Sequence, residues 1–169
     1  MSQIVLFTSS FMALPLIGSL HSKNQLSCVI LTDRNDMDTQ TLAQWLSYHK
    51  VPFFHFDKNN ESSNIDKLNQ FNTSLALVFN FPYKFTKKIL SYFSNYIFNI
   101  HASYLPKYKG NQPIFWQLKN AETKTALSLC YLRDELDSGD IVLQHEFYIH
   151  DNDTYGTLSS ILSQGAVPL

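Results

Sequence analysis

An α/β fold, built as a doubly wound and mostly parallel sheet with one antiparallel pair near the C-terminus, follows from three features of the sequence. Short apolar runs rich in β-favouring residues alternate with helix-patterned segments. Most of those runs are continuous rather than alternating in polarity, which implies burial on both faces, as in a parallel sheet covered by helices. The last two runs lie too close together for a helical crossover between them.

The elements are read in chain order. Ile4 to Phe7 is the first strand, entered after a short polar start that has neither the basic region nor the small-residue cleavage site of a signal peptide. The turn behind it, Thr8-Ser9-Ser10-Phe11, has no glycine fingerprint, so a dinucleotide cofactor is disfavoured. Cys28 to Leu31 is the second strand, and Asp38 to His49 carries Leu42, Trp45, Leu46 and His49 at helical spacing behind acidic capping residues. Phe53 to Phe56 is the third strand. The polar stretch Lys58 to Asn64 reads as a solvated loop before a helix containing Ile65 and Leu68. Leu75 to Phe79 and Tyr96 to Ile100 are the fourth and fifth strands, which completes a repeated β-α-β pattern. Lys124 to Tyr131 and Ile141 to Phe147 then pair antiparallel across the loop Leu132 to Asp140. A last helix starts near Asp153 or Thr154 and runs through Leu158, Ile161 and Leu162, and the chain stops at Gly165 to Leu169.

Bulk composition narrows the function. With 169 residues, 44% of them hydrophobic and 16% charged, the chain is expected to form one domain over residues 1–169 around one core. A net charge of -1 gives no global positive field for a polyanion or a membrane surface, although a local basic patch remains open. No apolar stretch approaches the roughly 20 residues that span a bilayer, so the expectation is a cytoplasmic protein with no membrane partner. Cys28 and Cys130 each sit in an apolar run and are expected to be buried free thiols. The 13 Phe and 9 Tyr are mainly core filling. The six histidines show no ligand spacing with one another or with cysteines and acids, so no metal is expected, and His145 and His150 read as surface residues.

Two segments carry chemistry. At the end of the fifth strand stands Asn99-Ile100-His101-Ala102-Ser103-Tyr104-Leu105-Pro106-Lys107-Tyr108-Lys109-Gly110, in which strand alternation puts Asn99 and His101 on one side. Two adjacent polar side chains on an apolar strand cost a few kcal/mol if buried unsatisfied, so they need partners or a wet cleft. A core histidine paired with a structural asparagine would satisfy the same pattern. The second segment, Asp134-Glu135-Leu136-Asp137-Ser138-Gly139-Asp140, has four carboxylates in seven residues. On its own it is a solvated acidic turn with Gly139 supplying backbone freedom, except that Leu136 suggests a loop folded back on the protein.

Together the segments resemble the formyltransferase family, which includes glycinamide ribonucleotide transformylase, methionyl-tRNA formyltransferase and the amino-sugar N-formyltransferases. The resemblance covers nearly the whole chain. Its most specific parts are Asn99 to Pro106 with Gly110, and Leu136-Asp137-Ser138-Gly139-Asp140 downstream. It implies a Rossmann-like fold, N10-formyltetrahydrofolate as donor, an amine acceptor such as methionyl-tRNA or an amino-sugar nucleotide, and Asn99, His101 and Asp137 as catalytic residues. It also implies that the donor's pterin ring is held by Asn80, Phe81, Pro82, Tyr83 and Phe85 on one side and by Asp134, Glu135 and Leu136 on the other. Phe79 and Phe81 fit the core equally well. Ser103, despite its nearness to His101, reads as a loop hydrogen-bonder, because amine attack on a formyl donor needs no covalent intermediate.

The sequence departs from the family at Ala102, where glycine or proline is usual, and at Tyr104, where leucine is common. Gly110-Asn111-Gln112-Pro113-Ile114 is closer to the tRNA and amino-sugar branches than to the purine branch. Members of the first two branches usually continue into an acceptor-binding domain. This chain therefore reads either as a shortened catalytic core or as one that binds its acceptor differently. The clusters Lys84, Lys87, Lys88 and Lys107, Lys109 read as solvated faces more than as a nucleic-acid surface. Hydrolysis of the formyl donor, glycinamide ribonucleotide transformylation and a folate-binding core without turnover are the alternatives.

Overall fold

The computed structural model describes residues 3–71, 73 and 75–169; Met1 and Ser2, ahead of the first apolar run, lie outside them. Seven strands, β1 (Ile4–Thr8), β2 (Leu26–Leu31), β3 (Phe53–His55), β4 (Leu75–Phe79), β5 (Ile97–His101), β6 (Lys124–Tyr131) and β7 (Ile141–Tyr148), form one sheet in the order β3-β2-β1-β4-β5-β6-β7. The first five are parallel, and β6 and β7 continue the sheet antiparallel. The helices are α1 (Leu14–Ser22), α2 (Met37–Tyr48), α3 (Glu61–Leu68), α4 (Lys87–Tyr92), α5 (Pro113–Lys119) and α6 (Tyr155–Gly165).

Alternation along the strands divides the core in two. Leu6 and Ile100 join α1, α2, α5 and α6 on one face, through Ile17, Leu42, Leu46, Ile114, Leu158 and Leu162. Val5, Phe7, Ile30, Val78 and Ile97 face α3 and α4, where Leu68, Ile89 and Leu90 meet them. Side chains of β1 point alternately to the two faces, and because both faces are covered, Ile4 to Phe7 is a continuous apolar run. Local chemistry fixes the helix starts: Asp36 accepts from Thr39 N at 2.8 Å to cap α2, and Thr154 and Thr157 form a capping box at α6.

The structure corrects the sequence reading in several places. Residues 58–64 are not all solvated loop. Asn60 caps α3, Glu61 opens it, and Asn64 is fully buried, its side chain accepting from Asp57 N at 2.8 Å and donating to Asp57 O at 2.7 Å. That pair substitutes for ladder bonds just beyond β3. Strand limits shift by up to two residues, with β2 starting at Leu26, β3 ending at His55, β5 running from Ile97 to His101 and β7 extending to Tyr148. Helices α4 and α5 are too short to show a period and α1 carries Pro15 and Gly18, so the sequence pattern does not reveal these three. Among the described residues no helix is long and apolar enough to cross a membrane.

Both cysteines are buried free thiols. Burial pushes Cys28 up to about 12. Cys130 rises to about 11, from burial first and the negative charge of Asp137 second, against a smaller downward pull from Lys109. Neither thiol is expected to react with an alkylating reagent at about pH 8 until the protein is unfolded, which thiol titration with and without denaturant will check. Replacement of Asn64 by alanine strands two backbone groups of Asp57, and a loss of roughly 1–3 kcal/mol is expected in urea unfolding.

Candidate active site

The register between β4 and β5 sets Val78 beside Asn99 and Phe79 beside Ile100, so the carboxyl ends of the two strands lie together. The strand order reverses next to them, between β1 and β4, which is where open α/β sheets form their ligand crevice. Asn99 and His101 project from β5 on the same side as Ile97, the face that α3 and α4 cover lower down. There the loop 132–140 takes over the covering, with Leu132 packed into that cluster. Between this loop and the segment 80–85 runs a cleft of about 280 Å³.

Asp137 closes the cleft floor. Its side chain is 4% exposed, and its two oxygens meet three groups from elsewhere. Oδ1 accepts from Asn99 Nδ2 at 2.9 Å, while Oδ2 accepts from Gly110 N at 2.8 Å and lies 3.4 Å from His101 Nδ1. His101 is buried, and its Nε2 stands 2.8 Å from the carbonyl of Tyr108. A carbonyl only accepts, so Nε2 carries a proton; Nδ1 is then the nitrogen turned to Asp137. The doubly protonated ring matches both acceptors, whereas the neutral ring turns a lone pair toward the carboxylate.

The loop that delivers Asp137 is held tightly. Tyr131 N donates to Asp140 O at 3.0 Å. A Cβ on Gly139 would lie 1.7 Å from Tyr131 O, so close backbone approach, rather than the conformational freedom read from the sequence, requires glycine here. Asp137 has a left-handed φ of 49°. Leu136 does fold back, with Cδ2 3.8 Å from the Cβ position of Gly110, although 54% of the residue stays exposed. Opposite, the hairpin of β6 and β7 braces the segment after His101: Ser128 Oγ donates to Ser103 O at 2.6 Å, and Gln144 Nε2 donates to Leu105 O at 3.0 Å and Ser128 Oγ at 2.8 Å. Ser103 is fully buried and its hydroxyl donates to Lys107 O at 2.7 Å.

The other wall rests on an aromatic cluster. Phe81 and Phe85 pack edge-on against Phe7 with ring centres 5.4 and 4.8 Å away, so both anchor the wall and form it. Asn80 turns the chain in the left-handed region at φ 53°, and its carbonyl accepts from Ser9 N and Ser9 Oγ at 3.2 and 3.0 Å, which ties this wall to the turn after β1. Tyr83 donates to Asp33, with Arg34 5.7 Å from the ring centre. That hydrogen bond is the main cause holding the Asp33 carboxyl below its ordinary range; burial and Asp33 push the Tyr83 phenol up.

Of the residues singled out in the sequence, Asn99, His101 and Asp137 come together, and Asn80, Phe81, Pro82, Tyr83, Phe85, Asp134 and Leu136 line the cleft. Phe79 does not; it is fully buried core. Glu135 also stays outside. It is exposed, and its contact is the carbonyl that accepts from Ser138 Oγ at 2.9 Å; in so tight a turn one residue must point to solvent. Sequence reasoning missed the Tyr108 carbonyl and the Gly110 N–H, because backbone groups leave no residue signature beyond the glycine itself. Ser128 and Gln144 were invisible as partners because they sit in strands called only for their apolar pattern. The lysine clusters are partly neutralised: Lys87 lies 3.8 Å from Asp134 and Lys107 3.5 Å from Glu122. His145 and His150 are exposed. Among the described residues no three His, Cys, Asp or Glu side chains gather as metal ligands.

Comparison with known proteins identifies the family and the fold. The family described as Formyl transferase matches residues 7–166. A methionyl-tRNA formyltransferase of Thermodesulfovibrio yellowstonii is 30% identical over 169 residues, covering 96% of this chain and 55% of that protein. Another methionyl-tRNA formyltransferase, from Halalkalibacterium halodurans, is 31% identical over 121 residues, covering 72% of this chain and 38% of its own length. The chain thus spans about half or less of the curated relatives it matches. The crystal structure of a phosphoribosylglycinamide formyltransferase from Streptococcus pneumoniae superposes with a TM-score of 0.83 at 16% identity, over 99% of this chain and 96% of that one.

Gly139→Ala forces the loop 132–140 away from Tyr131. Thermal unfolding is expected to report a loss of roughly 1–3 kcal/mol, the range for overpacking, where an exposed loop glycine would show almost none.

Proposed function

The chain belongs to the formyl transferase family, and from that premise we propose that residues 1–169 form one catalytic domain that moves the formyl group of N10-formyltetrahydrofolate to a primary amine. The observation that carries this reading is the Asp137 carboxylate, buried at the floor of an open cleft with Asn99 and His101 against it.

The cleft suits a flat heteroaromatic donor. Phe81, Phe85 and Leu136 offer apolar surfaces, and the backbone of the 80–85 segment and of residues 131–134 offers edge hydrogen bonds. Bound there, the donor supplies the formyl carbon that the amine attacks. Asn99 spends one N–H on Asp137 and has a second for the oxygen on which negative charge develops. His101 presents Nδ1 to the same region, its other nitrogen being engaged by Tyr108. The Asn99 N–H is a donor of the kind that contributes about 3–4 kcal/mol to transition-state stabilisation in comparable acyl transfers, and His101 Nδ1 joins it only in the doubly protonated ring, because Nε2 keeps the proton of the neutral one. Asp137 accepts the proton that the attacking ammonium loses, directly or through a water. Its burial keeps it dependent on the donors around it, so the three groups act as a unit.

The curated relatives are methionyl-tRNA formyltransferases, which favours a methionyl-tRNA acceptor; an amino-sugar nucleotide is the second candidate on the sequence resemblance alone. Steady-state assays with 10-formyltetrahydrofolate and both acceptors test the reading. Wild type should formylate one of them, and Asp137→Ala should lower kcat by about a hundredfold or more with a small change in donor KM. Equal turnover by Asp137→Ala contradicts the assignment. Formate released as fast without an acceptor as with one points to hydrolysis, and donor binding without any turnover points to a non-catalytic core.

A further inference from the structure

Tyr108 occupies a conformation that its residue type disfavours. Its φ is 57°, in the left-handed region populated mainly by glycine and asparagine. Its side chain does not line the cleft, yet the hydroxyl is firmly held: it donates to Glu122 Oε1 at 2.8 Å and accepts from Asn120 Nδ2 at 3.0 Å. Asn120 caps the end of α5, and Glu122 is further fixed by Lys107 at 3.5 Å. The phenol thus ties the strained residue to the far end of a helix.

The strained residue's carbonyl is the one that receives His101 Nε2 at 2.8 Å; Ser103 Oγ stands 3.5 Å from the same oxygen but gives its shorter bond, 2.7 Å, to Lys107 O. The imidazole has a competing arrangement. With the Asp137 carboxylate 3.4 Å from Nδ1, a neutral ring free of Tyr108 gains by moving its proton from Nε2 to Nδ1. The carbonyl is what opposes that exchange.

We infer that Tyr108 is a positioning residue whose hydroxyl, anchored by Glu122 and Asn120, holds the left-handed backbone that aims the residue 108 carbonyl at His101 Nε2 and thereby fixes which ring nitrogen faces Asp137 and the cleft. Its catalytic consequence rests on the function proposed above; the ring geometry does not. Neither Tyr108 nor Glu122 lines the cleft, so the effect reaches the reaction through the groups this loop positions, His101 foremost, with the Gly110 N–H against Asp137 on the same loop.

The test uses the full chain labelled with ¹⁵N-histidine, as wild type, Tyr108→Phe, Glu122→Ala and Glu122→Gln, each checked for a native circular dichroism spectrum. In nuclear magnetic resonance on the alkaline side of imidazole titration, wild type and Glu122→Gln, whose amide oxygen still accepts from the phenol, should show His101 protonated at Nε2. Tyr108→Phe and Glu122→Ala should show a growing Nδ1-protonated fraction. The same two variants should lose about tenfold or more in kcat with donor KM unchanged. If Tyr108→Phe or Glu122→Ala is native and keeps His101 wholly protonated at Nε2, the inference is wrong, whatever the turnover. A tautomer change in a protein that transfers no formyl group instead upholds the inference and removes the proposed function.

Discussion

A carboxylate with 4% of its side chain exposed has to find donors, and Asp137 finds them on segments far apart in the chain. Its bonds to Asn99 on β5 and to Gly110 in the following loop, with His101 alongside, join the strand, the loop after it and the loop 132–140 at one point. An uncompensated charge at that depth would cost several kcal/mol, so the three segments hold one another in place. Loss of any partner is felt by all. These paired polar groups lie beneath an open cleft, and that opening is what favours the proposed site over a core histidine with a structural asparagine.

The sheet topology provides the location. Strands β1, β4 and β5 end together where the strand order reverses, and the segment 80–85 leaves β4 at that level. The antiparallel hairpin of β6 and β7 then supplies what a purely parallel sheet would lack: a short loop that crosses the face of β5. Cys130 opposite Asn99 and Ser128 opposite His101 place the hairpin squarely beside the two polar residues. Gly139 lets that loop close on Tyr131, and Ser128 with Gln144 fastens the segment carrying Leu105. Two kinds of strand pairing therefore meet at the residues on which the chemistry is proposed to depend.

Much of this could be read from residues. Continuous apolar runs identified the parallel strands, and the short spacing between Tyr131 and Ile141 identified the antiparallel pair, because these signals come from burial and loop length. Asn99 and His101 stood out as polar side chains on an apolar strand, whereas their grouping with Asp137 is what the family resemblance implies, since the acidic loop alone reads as a solvated turn. What stayed hidden obeys other rules. Helices α4 and α5 are too short for periodicity, and Asn64 looked solvated because a buried asparagine and a loop asparagine have the same identity. The family resemblance implies a cleft position for Glu135, but side-chain direction in a turn follows backbone angles that a sequence does not display. The Tyr108 carbonyl was hidden for the simplest reason: every residue has one.

The cleft over Asn99, His101 and Asp137 is proposed to receive a folate formyl donor. Calorimetric titration of a non-transferable 10-formyltetrahydrofolate analogue tests it most directly, with Leu136→Asp as the control because Leu136 lines the cleft while more than half exposed, at 54%, and its replacement should leave the fold intact. Binding in about the micromolar range by wild type, weakened at least about tenfold in Leu136→Asp, is the predicted result. A well-folded wild type that shows no binding, or binding untouched by Leu136→Asp, would contradict it.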